Sequence, residues 1–463
     1  MNGAELAFAA WRADEEKERQ QNVVMARQFH AGEQEVTLTT ALKAFLGGDD
    51  ARFNVNFCRT VVEAVTERMM IADVGAAGDA SAAFARELWE RNQMGLRQAE
   101  VHEWGLVDGE SFVIVSWSDD EQRVVLTPTS RYTDAQVNGD NFGGKAHYPD
   151  DDMMQPLLFC SKRWVETLEN GRARQRATLY WPDRVEKYQV IGGSLVEFRD
   201  EGDATWPLPW LDRNGRALGA AMVHLYGQPA LRPEAWDAIP IQNAINKGVV
   251  DLLASADLTA FRMFVAFGWI PTTDGRPLAA DSSNLAQIGP GTILGTTRPR
   301  SEVDFTAIDG ADVRPMIEMI QSMIGWMSVV TNTPESRMSF TRQIAAEGTL
   351  QEQKETLYAK VRKRQSLFDA GWKRVLEMAR RVQNARGAPV GDEAPFLIDW
   401  APIQSRDTAD ERDEWRVKKE MGVPIEQIWS EMGYSVEQVE AMKATDEWRL
   451  RMAAAAAGWG ENG

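Results

Sequence analysis

The chain has 463 residues, of which 44% are hydrophobic and 26% charged, and a formal net charge of −18. These are globular proportions in a chain too long for one ordinary core, so two or more structural units are expected. The acidic excess excludes a protein that coats nucleic acid by broad phosphate neutralisation, though not a local basic patch or DNA that passes ungripped.

The first segment, "MNGAELAFAAWRADEEKERQQ", lacks a basic start followed by an apolar run, so no signal peptide is expected. Residues 5 to 30 read as a charged helix. "VNFCRTVVEAVTERMMIADV" follows, with Val61, Val62, Val65, Met69 and Met70 spaced for one helix against a core. "SAAFARELWERNQMGLRQAEVHEWGLVDG" continues the helical character to Gly109. The period then changes: "SFVIVSWSDDEQRVVLTPTS" predicts two strands joined by an acidic turn at Ser118 to Gln122.

Residues 134 to 153 read as a polar loop, and the strand candidates "PLLFCSKRW", "ARQRATLYWPDRVEKYQV" and "SLVEFRD" follow it. Together they describe an α+β unit with a mostly antiparallel sheet. From Asp237 the chain is strongly helical through "DAIPIQNAINKGVVDLLASADLTAFRMFVAFG". Asp251, Asp257 and Arg262 within this apolar region argue against a membrane span.

A Gly- and Pro-rich stretch from Trp269 to Asp312 predicts two or three short strands. Then comes a helix in which Met316, Met319, Met323 and Met327 recur at spacings of three and four, a stripe that reads as packing surface. Apolar residues on more than one face of it ask for several neighbours, with copies of the same chain the economical choice. The polar loop "TNTPESRMSFTRQIAAEG" separates it from a basic helix over Thr349 to Arg386, about 55 Å long at 1.5 Å per residue. In this reading Pro334 ends the apolar helix and Gly348 opens the basic one. The basic helix carries ten cations against four carboxylates. Solvated salt bridges account for most of them, with proximity to a polyanion as the functional alternative. "APFLIDWAPI" is a late strand, and the tail is a run of short charged helices with Gly422 and Gly433 as helix ends.

Catalytic signatures fail on inspection. "GDNFGGKA" satisfies G-x-x-x-x-G-K, but Ala146 stands where Ser or Thr must hold Mg²⁺, and no apolar strand leads in. "HEWGL" at His102 lacks a second histidine, and Cys58 and Cys160 have no CxxC spacing. Asp150, Asp151 and Asp152 read as a solvated acidic loop, and no G-x-S-x-G elbow occurs. No enzyme activity, cofactor or metal is expected.

The order of elements resembles the portal proteins of tailed bacteriophages, in particular siphophage-type head-to-tail connectors, over about residues 15 to 400. The resemblance rests on "VNFCRTVVEAVTERMM", on "DAIPIQNAINKGVVDLLASADLTAFRMFVAFG" and above all on "VVTNTPESRMSFTRQIAAEGTLQEQKETLYAKVRKRQSLFDAGWKRVLEMA". The Thr-Pro pair, variable polar loop, Gly-x-Leu start and KVRKRQxxF…W helix match how such portals enter and leave their tunnel loop. Glu347-Gly348 departs from the Ser-Gly common there, which shifts where the helix starts, and the last sixty residues match only in being helical.

The resemblance implies an α+β portal fold with wing, stem, clip, tunnel loop and crown, assembled as a ring usually of twelve subunits at one capsid vertex. It assigns 1–236 to the wing, 237–267 and 313–333 to the stem helices, and 268–312 to the clip. The tunnel loop becomes 334–348, the long wing helix and late strand 349–403, and the crown 404–463. Arg337, Ser339, Thr341, Arg342 and Gln343 would face DNA in the channel. Thr272, Asp274, Arg276, Arg298 and Arg300 of the clip would dock the motor or adaptor.

The implied partners are further copies of the chain, double-stranded DNA, the large terminase subunit, head-completion or adaptor proteins, and the major capsid or scaffolding protein, with no membrane. The implied place is the virion, after synthesis in the host cytoplasm. Another capsid-associated ring or adaptor, or a nucleic-acid-processing enzyme, are the alternatives.

Overall fold

The computed structural model describes residues 3–34, 55–131, 133–137, 140–149, 153, 155–168, 171–192, 194–203, 205–228, 231–260, 264–267, 272–273, 276–277, 293–296, 301, 312–338, 347–403, 415–431, 439 and 442–443. The chain divides into two compact units, 1–401 and 402–463.

The first unit opens with helices α1 (Gly3–Arg12) and α2 (Asp14–Ala31) rather than one charged helix. Helix α1 buries Ala7 and Trp11 among Phe159, Leu179 and Tyr188 of the large sheet, and that contact sets its direction. Helix α3 (Phe57–Thr66) buries Val61, Val62 and Val65, as the spacing predicts. It stops there, and the single helix expected through Met70 and beyond is corrected. Ile71–Ala76 is strand β1, with Met70 56% exposed just before it. Two tertiary contacts override local helix preference at this point. β1 pairs antiparallel with the late strand Phe396–Trp400, and the buried Gln98 amide bonds both the N–H (2.8 Å) and the C=O (3.3 Å) of Ile71. Sequence periodicity cannot see a partner more than three hundred positions away.

The next predicted helix is two, α4 (Asp79–Arg91) and α5 (Met94–Val107). They break at Gln93, whose φ is 54°, beside the buried Asn92. The Asn92 amide donates to Leu88 O at 2.9 Å and accepts from Leu126 N at 2.9 Å, tying the helix end to the sheet.

Strands β2 (Glu110–Ser118) and β3 (Arg123–Ser130) form the predicted hairpin. The polar loop expected over 134–153 is instead largely strand: β4 (Thr133–Val137) and β5 (Asp140–His147). β6 (Phe159–Thr167), β7 (Ala173–Tyr180), β8 (Arg184–Ile191) and β9 (Ser194–Glu197) follow, with the short β10 (Leu208–Pro209) and then β11 (Met222–Tyr226). The large antiparallel sheet runs β10-β8-β7-β6-β5-β4 with β9 on β8, and a three-stranded sheet runs β11-β2-β3.

The motif "GDNFGGKA" therefore serves packing. A Cβ at Gly144 would lie 2.5 Å from Met222 Cε and 2.6 Å from Phe112, so only glycine admits the approach of the two sheets. Lys145 donates to the buried Glu16 at 2.7 Å. Arg131 joins the same carboxylate, and Glu110 beside it takes Arg19 at 2.6 Å and His224 at 2.6 Å. Burial pushes the Glu110 carboxyl up, but Arg19, His224 and Lys145 outweigh it and hold it at about 2.

Helix α6 (Ile239–Ala260) is shorter than the helical run expected to Gly268, because Phe264–Phe267 is strand β12. β12 pairs in parallel with β15 (Ile293–Thr296), while β13 (Thr272–Thr273) pairs with β14 (Arg276–Pro277). Helix α7 (Arg314–Thr331) returns along α6, where Gly248 brings the two together against Ile320.

Helix α8 (Glu347–Arg386) has 40 residues and packs one apolar stripe against β2 and β11. Leu357, Val361, Phe368, Trp372, Val375 and Leu376 on that stripe are at most 1% exposed. Strand β16 (Phe396–Trp400) closes the unit against β1, as a late strand predicts.

In the second unit residues 415–420 are helical and end at Gly422, φ 84°, as expected. Val423 N bonds Lys418 O, and Gly422 N bonds Lys419 O, so the last carbonyls are satisfied in a Schellman motif. Helix α9 (Ile425–Glu431) follows, while Gly433 lies outside the described residues.

Candidate functional site

The polar segment between α7 and α8 begins at a tightly specified exit. Asn332, with φ 50°, ends α7 in the left-handed conformation. Its N–H bonds Val329 O, and the Thr333 N–H bonds Ser328 O. Asn332 is therefore the helix terminator, and Pro334, expected in that role, lies two residues beyond it. Side chains reinforce the exit: Ser328 Oγ donates to Thr333 O and Thr331 Oγ1 to Met327 O, each at 2.7 Å.

Lys360 of α8 then reaches the last carbonyl of α7, its Nζ 2.7 Å from Thr331 O. An ammonium at that position meets the partial negative charge of a helix C-terminus. The same Nζ lies 2.7 Å from Glu234 Oε1, and Arg364 Nε donates to Glu234 Oε2 at 2.8 Å. Gln228 Nε2 adds a third donor at 2.8 Å. Burial alone would push the Glu234 carboxyl up; Lys360 and Arg364 more than offset it and hold the group ionised below its ordinary range. One buried carboxylate thus ties the apolar helix, the long helix and the 228–236 segment together.

Helix α3 brackets the arrangement from the other side. At its N-terminal end the Gln242 amide of α6 accepts from Phe57 N at 2.8 Å and donates to Val55 O at 2.7 Å. At its C-terminal end Glu67 receives Arg337, whose Nη2 lies 2.7 Å from both carboxylate oxygens. Gln365 of α8 donates to Arg68 O at 3.1 Å, and Met338 is buried immediately before the undescribed part of the loop. The start of the polar segment is held twice, by Lys360 at Thr331 and by Arg337 at Glu67.

Arg337 is the one predicted loop residue that the structure describes; Ser339, Thr341, Arg342 and Gln343 lie outside the described residues. Thr272 and Arg276 fall in β13 and β14. Asp274, Arg298 and Arg300 lie outside the described residues.

Lys360 is one of the ten cations of the basic helix, for most of which salt bridges are expected, and it pairs with Glu234; Glu234, Glu67 and Gln242 are not singled out by sequence reasoning. Gln242 and Asn246 left a faint signal, being two amides four positions apart on an apolar helix; both are buried. Glu234 left none, because the two cations that neutralise it are more than a hundred residues away.

Helix α7 shows a second feature. Ile320, Ile324 and Met327 are buried on one side, whereas Trp326 is 63% exposed, Val329 77% and Val330 49%. Of the methionine stripe, Met327 is buried and Met319 exposed, so the stripe is only partly covered within one chain. Among the described residues, no three His, Cys, Asp or Glu side chains are placed to hold a metal ion. No described helix is long and apolar enough to cross a membrane.

The family model described as phage portal protein, SPP1 Gp6-like, matches residues 32–451. No curated protein matches the chain.

Proposed function

Since the chain belongs to the phage portal protein family, we propose that it forms the ring at one capsid vertex through which double-stranded DNA enters and leaves. Family membership supports a capsid-associated assembly in a tailed phage. The finer roles rest on the elements described above. In this reading α6 and α7 are the stem, the strands β12 to β15 belong to the clip, and the segment between α7 and α8 is the tunnel loop.

The observation that carries the reading is the exposed side of α7. Trp326, Val329 and Val330 form an apolar surface that one chain leaves uncovered, and a second copy in a closed ring covers it. The acidic balance fits the cargo. A conduit must not grip what it moves, and a chain of net charge −18 repels a polyanion over most of its surface.

Arg337, Ser339, Thr341, Arg342 and Gln343 then lie toward the duplex. Thr272, Asp274, Arg276, Arg298 and Arg300 lie toward the terminase motor during packaging and the head-completion proteins afterwards. The work of translocation belongs to a separate ATPase. A ring usually of twelve subunits is the expected assembly. Electron microscopy of the purified protein is expected to show rings with an axial hole; a uniformly single-chain species at high concentration contradicts the reading.

A further inference from the structure

Helices α6 and α7 form a hairpin whose two chain ends meet at one place. Glu234 stands just ahead of the 3-10 helix Trp236–Ala238 that leads into α6, and Thr331 is the last residue of α7. Lys360 of α8 joins them, its Nζ 2.7 Å from Glu234 Oε1 and 2.7 Å from Thr331 O. The polar segment leaves at the next residue, Asn332.

The carboxylate does not depend on Lys360. Arg364 Nε and Gln228 Nε2 each donate to Glu234 Oε2 at 2.8 Å, so a cation and an amide stay on it when Lys360 is removed. Thr331 O is less well supplied. The backbone bonds of this helix end go to Ser328 O and Val329 O, and the Thr333 hydroxyl reaches Thr331 O only at 3.5 Å. A carbonyl at a helix C-terminus has no intrahelical partner and carries partial negative charge, so an ammonium suits it. The Lys360 side chain is 9% exposed, so water replaces it poorly. The other hold on this stretch, Arg337 on Glu67, is open to solvent and contributes little.

We propose that Lys360 is the positioning residue of the polar segment: anchored on Glu234, it fixes the direction in which residues 332–338 leave α7. The aim of the segment is then set from the long helix rather than by the loop's own sequence. That the segment points into a DNA channel rests on the portal reading; the anchoring itself lies within one chain.

The test is hydrogen exchange by mass spectrometry on the purified full-length protein, comparing peptides across 329–338 with peptides around Trp372. In Lys360→Met the amides of Asn332 and Thr333 should exchange about ten- to hundredfold faster, as for the loss of one hydrogen bond to a charged group. Amides around Trp372 should keep the wild-type rate. Lys360→Arg, which keeps a cation within reach of both oxygens, should restore slow exchange. Lys373→Met, on the same helix and paired with Asp369, should change neither region.

Wild-type exchange at Asn332 and Thr333 in Lys360→Met overturns the proposal. So does equal acceleration around Trp372, or failure of that variant to fold, either of which makes Lys360 a general support of the fold. An arginine variant that exchanges as the methionine variant does also overturns it, because the cation is then not the cause. Particle imaging without DNA tests the portal reading separately. Absence of rings leaves the anchoring standing, and rings with unchanged exchange leave the portal reading standing.

Discussion

Helices α7 and α8 are both amphipathic, yet they dispose of their apolar residues differently. In α8 every large side chain of the stripe from Leu357 to Leu376 is buried within one chain, and buried Glu234 compensates the cations beside it. In α7 one side is buried against α6 and the opposite side carries Trp326, Val329 and Val330 into solvent. In the proposed ring, the contrast separates the part of the molecule that folds alone from the part that a neighbouring copy completes. There the long buried helix is the rigid support and the half-covered helix is the side offered to a neighbour.

The largest expected effect lies in the supporting helix. Trp372 is fully buried, its Nε1 donates to His102 Nε2 at 2.9 Å, and its ring meets Trp89 edge-on at 5.1 Å. Trp372→Ala should lower stability in urea by about 3–5 kcal/mol. Trp326→Ala should leave the single chain within ~0.5 kcal/mol of wild type, since its ring is mostly in water already. Equal losses at the two tryptophans would break the comparison.

Glu234→Ala should come next, at about 3–5 kcal/mol, because it strands Lys360 and Arg364 without a counter-charge in the interior. The same denaturation measurement checks it, and a loss under ~1 kcal/mol would mean that the cations escape to solvent.

Acid sharpens the contrast further. Burial drives the His102 ring down to about 3 from 6.5, with the Met69 backbone only partly opposing it. The unfolded chain therefore takes up a proton below 6.5 that the folded chain refuses until about 3. Stability from this group is complete above 6.5 and is lost as pH falls through that window. Between pH 7 and pH 5 the loss from His102 alone should be about 2 kcal/mol, read from urea midpoints. Helix α7 carries no histidine, so assembly through its exposed side should not follow that slope. A flat midpoint between the two pH values would refute the assignment.

The smallest effect is expected at Arg337. Its pair with Glu67 is open to solvent, and Arg337→Ala should cost under about 1 kcal/mol of stability. A larger loss would make the residue a structural anchor rather than one available at the channel.

The regular elements with local signals were legible. The hairpin β2–β3 announces itself by alternation and an acidic turn, and α6 to α8 by their apolar period. Strand β1 was not, because its partner is β16 at the far end of the unit. β5 was not, because Gly, Asp and Asn read as loop until β6 pairs with it and Phe112 and Met222 pack on Gly144. The candidate site was legible as a polar interruption between two helices. The residues that hold its start, Glu234, Lys360 and Glu67, depend on tertiary partners that no spacing reveals.

The central claim is that a second copy covers the exposed side of α7. Mass measurement of single particles in solution tests it most directly, comparing wild type with the double variant Trp326→Glu, Val329→Glu. The account predicts large closed assemblies for the wild type and folded single chains of 51.8 kDa for the variant. A variant that assembles as the wild type does, or a wild type that stays at the single-chain mass at high concentration, would contradict it.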